Sequence, residues 1–443
     1  MARAHIAWLA AAACAAGCGS PPTDGREPLA WSVALSELPA ALRGVCAGGG
    51  AIVAVGGRDG ALALEWTDGR WRAAPLPRDA GRLWWCWLDR DGRGFAVGER
   101  GTVLARTGPL AWQRDPTGDA IPTDATLYGV WGTSVDDVHV VGGSFNPGQT
   151  RTVAARRTPD GWTAAPVGSV PDAVLFKAWG AAADDVWIVG ADGALAHFDG
   201  TGWRPFASPT AQRLIAVWGT AGDDVYAVGG DAAGVVLHYD GAAWAPWAST
   251  PERLSGVWTA ADAPLYVVGD RGYTARIDRA TGQRDEAIAL RDVDLHAAVG
   301  LAGGGVAACG ADLLAGGNPS WRGALVTTGA DLAGPIDLPD AGAPDAATAD
   351  AGRPPDAGPA VDAGASADAA ALPGEGEPCG PPPDLCRADL TCWGLLTSEV
   401  FLCTQECALA SECFAYGPGA CCAVPGFQTA QRVCIPAGYA ECR

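Results

Sequence analysis

Residues 214–244 read LIAVWG, TAGDD, VYAVG, GDAAG, VVLHYDG, AAW, three short apolar runs separated by small and polar breaks. Runs of five or six residues rich in Val, Ile and aromatics, cut by Gly and Asp clusters, predict strands and turns, since they are too short for stable helices. VYAVG (225–229) is apolar at every position, which predicts a strand covered on both faces. Asp240-Gly241 suits a tight hairpin turn, and Trp244 opens a further, outer strand.

The pattern recurs. A leucine leads each copy at Leu42, Leu83, Leu127, Leu175, Leu214, Leu254 and Leu295, with spacings of 41, 44, 48, 39, 40 and 41 residues. Four positions on, a tryptophan slot holds Cys46, Trp87, Trp131, Trp179, Trp218, Trp258 and Val299. Eleven positions after the slot stands Gly98, Gly142, Gly190, Gly229, Gly269 or Gly310, with Gly56 one residue early. An Asp-Gly turn followed by Trp closes several copies, at Asp68-Gly69…Trp71, Asp160-Gly161-Trp162 and Asp199-Gly200…Trp203. A period near 40 with four short strands per copy is the signature of propeller blades, so residues 31–333 are expected to form an all-β, seven-bladed propeller. The slot tryptophans, Trp218 among them, are expected to be buried. Trp31–Leu35 has the spacing of an outer strand lacking its inner partners, and it can close the last blade, with Trp321 competing for that place.

The motif VWG…DDV…VG…DG..W resembles the broad bacterial class of kelch-like and BNR-like (Asp-box-like) propellers. It departs from the full Asp-box in the Ser and Thr around the Asp-Gly turn. The resemblance implies the fold and carries no glycosidase activity with it.

Outside the repeats the composition shifts. MARAHIAWLAAAACAAGCGS joins Arg3 to an apolar run too short to span a bilayer as a mature helix, the pattern of a secretory signal over residues 1–17. Ala15-Ala16-Gly17-Cys18 resembles the bacterial lipobox, which implies lipid attachment at Cys18, a short tether over 18–30 and, with Gly19 following, an outer-membrane lipoprotein. Cys14 also follows small residues and is the weaker alternative, as is an ordinary signal peptide. Residues 334–378 carry seven Asp and two Glu against Arg353 and almost no large apolar side chain, so a disordered acidic linker is expected. Residues 379–443 hold Cys379, Cys386, Cys392, Cys403, Cys407, Cys413, Cys421, Cys422, Cys434 and Cys442, an even count that reads as a small disulfide module of open connectivity. Its spacing resembles small extracellular modules of the Dickkopf or EGF-like sort. Cys46, Cys86 and Cys309 lie in the propeller, where one pair plus a buried thiol and three buried thiols are both open.

A net charge of −20 excludes nucleic acid as a partner, because phosphates call for clustered Lys and Arg, and the chain has one lysine, Lys177. The paired aspartates Asp136-Asp137, Asp184-Asp185 and Asp223-Asp224 invite a metal reading. They repeat around the ring at one turn, so a folding role is expected, with the side chains accepting backbone hydrogen bonds there. His197 and His238 share one repeat position, and His139 takes the place of Trp187 and Tyr226, which reads as structural variation; His296 stands alone. No nucleophile elbow, phosphate loop or zinc-binding His-Glu-x-x-His is present, and no cofactor, metal or catalytic residue is assigned. Two classes remain: a lipid-anchored envelope protein that binds a protein or glycan through a propeller face, and a propeller glycan hydrolase or lyase with carboxylates at one channel mouth.

Overall fold

The computed structural model describes residues 28–146, 149–168, 173–312 and 322–338, together with five short strands between Pro378 and Ile435. The first group is a seven-bladed β-propeller. Blades one to six are each antiparallel sheets of four strands in sequence order, with spans 41–73, 83–114, 126–164, 175–205, 214–250 and 254–288, and residues 294–328 supply the three inner strands of blade seven. First strands start at Ala41, Leu83, Thr126, Leu175, Leu214, Leu254 and Asp294, at or one residue before the repeated leucines. These inner strands contact one another in order around the ring, and the seventh meets the first.

Closure uses both ends of the ring. The N-terminal strand Ser32–Leu38 pairs antiparallel with Gly323–Thr328 as the outermost strand of blade seven, the place expected for residues 31–35. Position 321 lies outside the described residues. Ile336–Asp337, within the stretch expected to be linker, adds a fifth strand to blade one, parallel to Arg70–Ala73. Trp71 Nε1 donates to Leu332 O at 3.0 Å, and Arg70 reaches the Asp337 carboxylate. The two blades on either side of the seam are thus each finished by a distant piece of chain.

The repeated tryptophans dock blade on blade. The inner-strand tryptophan of one blade lies over the glycine that follows the same slot in the next: Trp131 over Gly180, Trp179 over Gly219 and Trp258 over Gly300. Trp218 faces Thr259 instead and donates Nε1 to its carbonyl at 2.9 Å. The Trp-Gly dipeptide is therefore an inter-blade lock, since only a residue without Cβ lets the indole sit on the neighbouring backbone. Gly219→Ala is expected to cost about 1–3 kcal/mol through overpacking, because a Cβ there would stand 2.6 Å from the Trp179 ring. Urea unfolding reads this directly, and a loss below ~0.5 kcal/mol would mean that the indole rests elsewhere.

The slot is less uniformly buried than its pattern suggests. Trp131 and Trp179 are buried, whereas Trp87, Trp218 and Trp258 are partly exposed. Outer-strand tryptophans pack backwards, onto the second-strand aromatic of the preceding blade: Trp162 on Phe95, Trp203 on His139 and Trp244 on Trp187. The largest apolar cluster, around Trp187, joins blades three to five in this way. A disulfide links Cys46 to Cys86 across the inner strands of blades one and two, and Cys309 is a buried free thiol.

The expected signal, Cys18, the tether up to residue 27 and the linker beyond Leu338 lie outside the described residues, as do the side chains of all ten cysteines from 379 to 442. The strands there form a three-stranded and a two-stranded sheet, with Cys392 opposite Cys403 and Cys422 opposite Cys434 in backbone register. Among the described residues no helix is long and apolar enough to cross a membrane.

Candidate functional site

The second residue of each aspartate pair opens its blade's second strand and reaches the third strand through its side chain. Asp137 accepts from Arg156 Nε and Nη2 at 2.9 and 2.7 Å, Asp185 faces His197 Nε2 at 2.7 Å, and Asp224 faces His238 Nε2 at 2.9 Å. Arg156, His197 and His238 occupy one register position, opposite His139, Trp187 and Tyr226. The expected bonds from turn amides are replaced by this side-chain tether, because the aspartate sits just inside the strand with its carboxylate directed across the sheet. Thr133 and Thr220, four residues earlier, supply further donors to Asp137 and Asp224. Arg279 from blade six also donates to Asp224. Burial pushes the Asp224 carboxyl up, and the bonds from Thr220 and His238 with the Arg279 charge outweigh it and hold the pKa below the ordinary carboxylate range. Three copies of one tether are architecture.

A different ring of residues breaks the repeat. In all seven blades the register slips between the leading leucine and the second residue after it, so the intervening residue is bulged out of the ladder. Bulges re-aim side chains. Here the bulged set is Arg43, Trp84, Tyr128, Phe176, Ile215, Ser255 and His296, seven positions with no shared chemistry at one end of the central channel. Consecutive members touch: the Arg43 guanidinium lies 4.9 Å over Trp84, Trp84 meets Tyr128 edge-on at 4.9 Å, and Tyr128 meets Phe176 at 5.7 Å. An aromatic arc with a guanidinium at its end therefore lines half the mouth. Outside it, Arg82–Glu99, Arg213–Asp231 and Arg253–Asp270 pair within blades two, five and six, so these three carboxylates are already engaged.

Below this ring the channel closes on one small residue from each blade, Val45, Cys86, Val130, Ala178, Val217, Val257 and Ala298, all buried. They surround a cavity of about 110 Å³ whose only polar lining residue is Lys177. Lys177 stands at a register position held elsewhere by Gly44, Trp85, Gly129, Ala216, Gly256 and Ala297. Its Nζ donates to Tyr128 O at 2.7 Å and lies 4.1 Å from the centre of the Trp85 ring. Burial lowers its pKa to about 7. His296 Nε2 is buried without a hydrogen-bond partner; burial, then the charges of Arg43, Lys177 and Arg253, lower its pKa to about 3 and keep it neutral. Burial lowers Arg43 to about 10 and raises Tyr128 to about 12, and it pushes the Cys309 thiol up.

Sequence reasoning met Lys177, His296 and Cys86 singly and brought none of them together into this site. The repeat register places Lys177 among glycines, alanines and one tryptophan, and that mismatch is the signal that could have found it.

No protein-family model matches the chain, and no curated protein matches it either. Solved structures match the ring alone. Virginiamycin B lyase from Staphylococcus aureus aligns with a TM-score of 0.54 at 13% identity, covering 67% of this chain and 99% of that one. The WD40 β-propeller domain of Doa1 aligns at 0.53 and 11% identity, covering 68% and 97%. YCF48 from Cyanidioschyzon merolae aligns at 0.51 and 14% identity, covering 68% and 98%. At such identities the likeness extends to the propeller fold and no further: the chain is similar to these proteins in its seven-bladed ring.

Proposed function

We propose that this is a lipid-anchored protein of the cell envelope that binds or scaffolds a protein or glycan ligand through the mouth of its propeller. The observation that carries the reading is the bulged ring: a non-repeating aromatic arc with Arg43 at its edge, over an apolar floor. Aromatic faces and a guanidinium suit recognition of a ligand's apolar and polar edges. A glycan hydrolase calls for a pair of free carboxylates flanking the scissile bond, and Glu99, Asp231 and Asp270 here are salt-bridged to Arg82, Arg213 and Arg253. The lipobox-like approach to Cys18 supports the anchor, and the acidic, apolar-poor stretch after the ring supports a tethered cysteine-rich tip.

Two measurements test the parts. Cys18→Ser should release the chain from the membrane fraction; a variant that still floats with membranes and still incorporates labelled palmitate removes the anchor from the account. The full chain incubated with envelope glycans should retain ligand without turnover, and Trp84→Ala with Arg43→Ala should weaken retention at least tenfold. Release of new reducing or unsaturated ends, abolished by substitutions at the mouth, would establish the hydrolase or lyase class instead.

A further inference from the structure

The cavity beneath the mouth carries an unusual imbalance. Of the side chains lining its roughly 110 Å³, all but one are apolar, among them Val130, Val217, Val257, Trp85 and Trp87. The exception is the chain's single lysine, nine-tenths buried, with one backbone carbonyl and one indole face as its partners and no carboxylate among the described residues. A buried ammonium without a counter-charge is costly, and proteins either neutralise such a group or pair it. In the isolated chain burial draws the amine toward the first option. We propose that the second is its function: the cavity is a binding site for a short-chain aliphatic carboxylate, whose head pairs with Lys177 and whose alkyl tail fills the apolar ring of one residue per blade.

Size and charge set the class. At about 30 Å³ for each water-sized group, a cavity of this volume has room for three or four heavy atoms, which the three-carbon tail of butyrate fills. The tail would lie on Val45, Val130, Val217 and Val257. The Lys177 side of the cavity also lies in the field of the mouth's cations, because His296 is coupled to Lys177, Arg43 and Arg253 together. The titratable groups facing Lys177 are the Cys309 thiol and His296, and both are neutral near pH 7. An arriving carboxylate draws a proton onto the amine. The site is a pre-formed apolar pocket with a single orienting polar group, the usual make-up of a small-ligand site. It lies below the rim assigned to a larger ligand and stands apart from that assignment.

Calorimetric titration of the full chain at pH 8 with butyrate tests the proposal. One saturating site is expected, with affinity rising about fourfold per methylene from acetate to butyrate. Butyramide, the neutral analogue, should bind at least tenfold more weakly, and chloride should fail to compete. Comparison of phosphate with Tris buffer should show close to one proton taken up per butyrate bound, and the affinity should fall as the pH is raised from 7 to 9. Lys177→Met should lose butyrate and the proton uptake while its circular dichroism stays that of the parent. Equal binding of butyramide and butyrate, competition by chloride, or no saturation at tens of millimolar butyrate would each overturn the proposal. The butyramide comparison uses the unaltered chain, so it decides the matter even if the Lys177 variant fails to fold.

Discussion

Glu65→Ala is expected to lower the stability of the ring by about 3–5 kcal/mol, the usual cost of leaving one member of a buried ion pair behind. Glu65 sits on the third strand of blade one and is 1% exposed; the Arg106 side chain opposite, from blade two, is 4% exposed. The carboxylate is saturated by blade two alone. Arg106 donates Nε at 3.0 Å and Nη2 at 2.6 Å, Trp112 donates Nε1 at 2.7 Å, and the amide of Leu110 donates at 3.0 Å. Truncation at Glu65 strands a guanidinium and an indole N–H in a dry interface, which is why the loss should exceed that of a surface pair severalfold. At roughly 2–4 °C per kcal/mol for a chain of this size, the melting point should fall by on the order of 10 °C. Arg106→Met combined with Glu65→Leu should recover most of it, because a well-packed apolar pair removes the unpaired charge. A single-variant loss below ~1 kcal/mol would mean that water reaches the cluster.

That cluster also marks where sequence reading stops. The repeated leucines, the slot residues and the glycines eleven further on located all seven inner strands, because strand pairing within a blade is local and repeats with the chain. The closing strand at Ser32–Leu38 was legible for the same reason: its distance to Leu42 copies that from Trp203 to Leu214. Contacts between blades follow a different rule. Glu65 meets Arg106 and Trp112 only because two neighbouring sheets lie face to face at a distance set by the side chains between them. Cys46 and Cys86 differ by one register position and still bond, since adjacent inner strands are staggered. Their pairing was one of two open outcomes for that reason.

The mouth was hidden more deeply. A bulge after each leading leucine leaves the spacing unchanged, so the pattern gives no sign that Arg43, Trp84, Tyr128 and Phe176 are turned out of the ladder to meet. The addition of Ile336–Asp337 to blade one was masked by composition, because the acidic, Pro-rich character that marks the tail begins before the fold ends. Trp218 differs from its counterparts in another way: its neighbour in blade six is Thr259 rather than glycine, and the indole bonds that residue's carbonyl.

His139→Phe should make the ring more stable, and more so as the pH falls. His139 is 1% exposed, packed among Phe198, Trp203 and Trp131, and neither ring nitrogen has a hydrogen-bond partner. Blades two, four and five place Phe95, Trp187 and Tyr226 at this position, and Phe95 shows that it accepts a ring without polar atoms. Removing the unsatisfied imidazole should add about 1–3 kcal/mol at pH 7. Burial, reinforced by the Arg156 charge, lowers the His139 pKa to about 4 from its ordinary 6.5. The unfolded chain therefore binds the extra proton between these values and the folded ring does not, so stability is lost as the pH drops from about 6.5 to about 4 and levels off below. At pH 5 the parent should have lost about 2 kcal/mol through this group, which the phenylalanine variant keeps. His296, with its pKa lowered to about 3, contributes a second loss over a wider range and remains in both proteins. Urea unfolding of parent and variant at pH 7, 6 and 5 should consequently give curves that diverge toward acid. Parallel curves would show that water or a donor reaches His139 in solution, and that the interface of blades three and four is looser than its packing indicates.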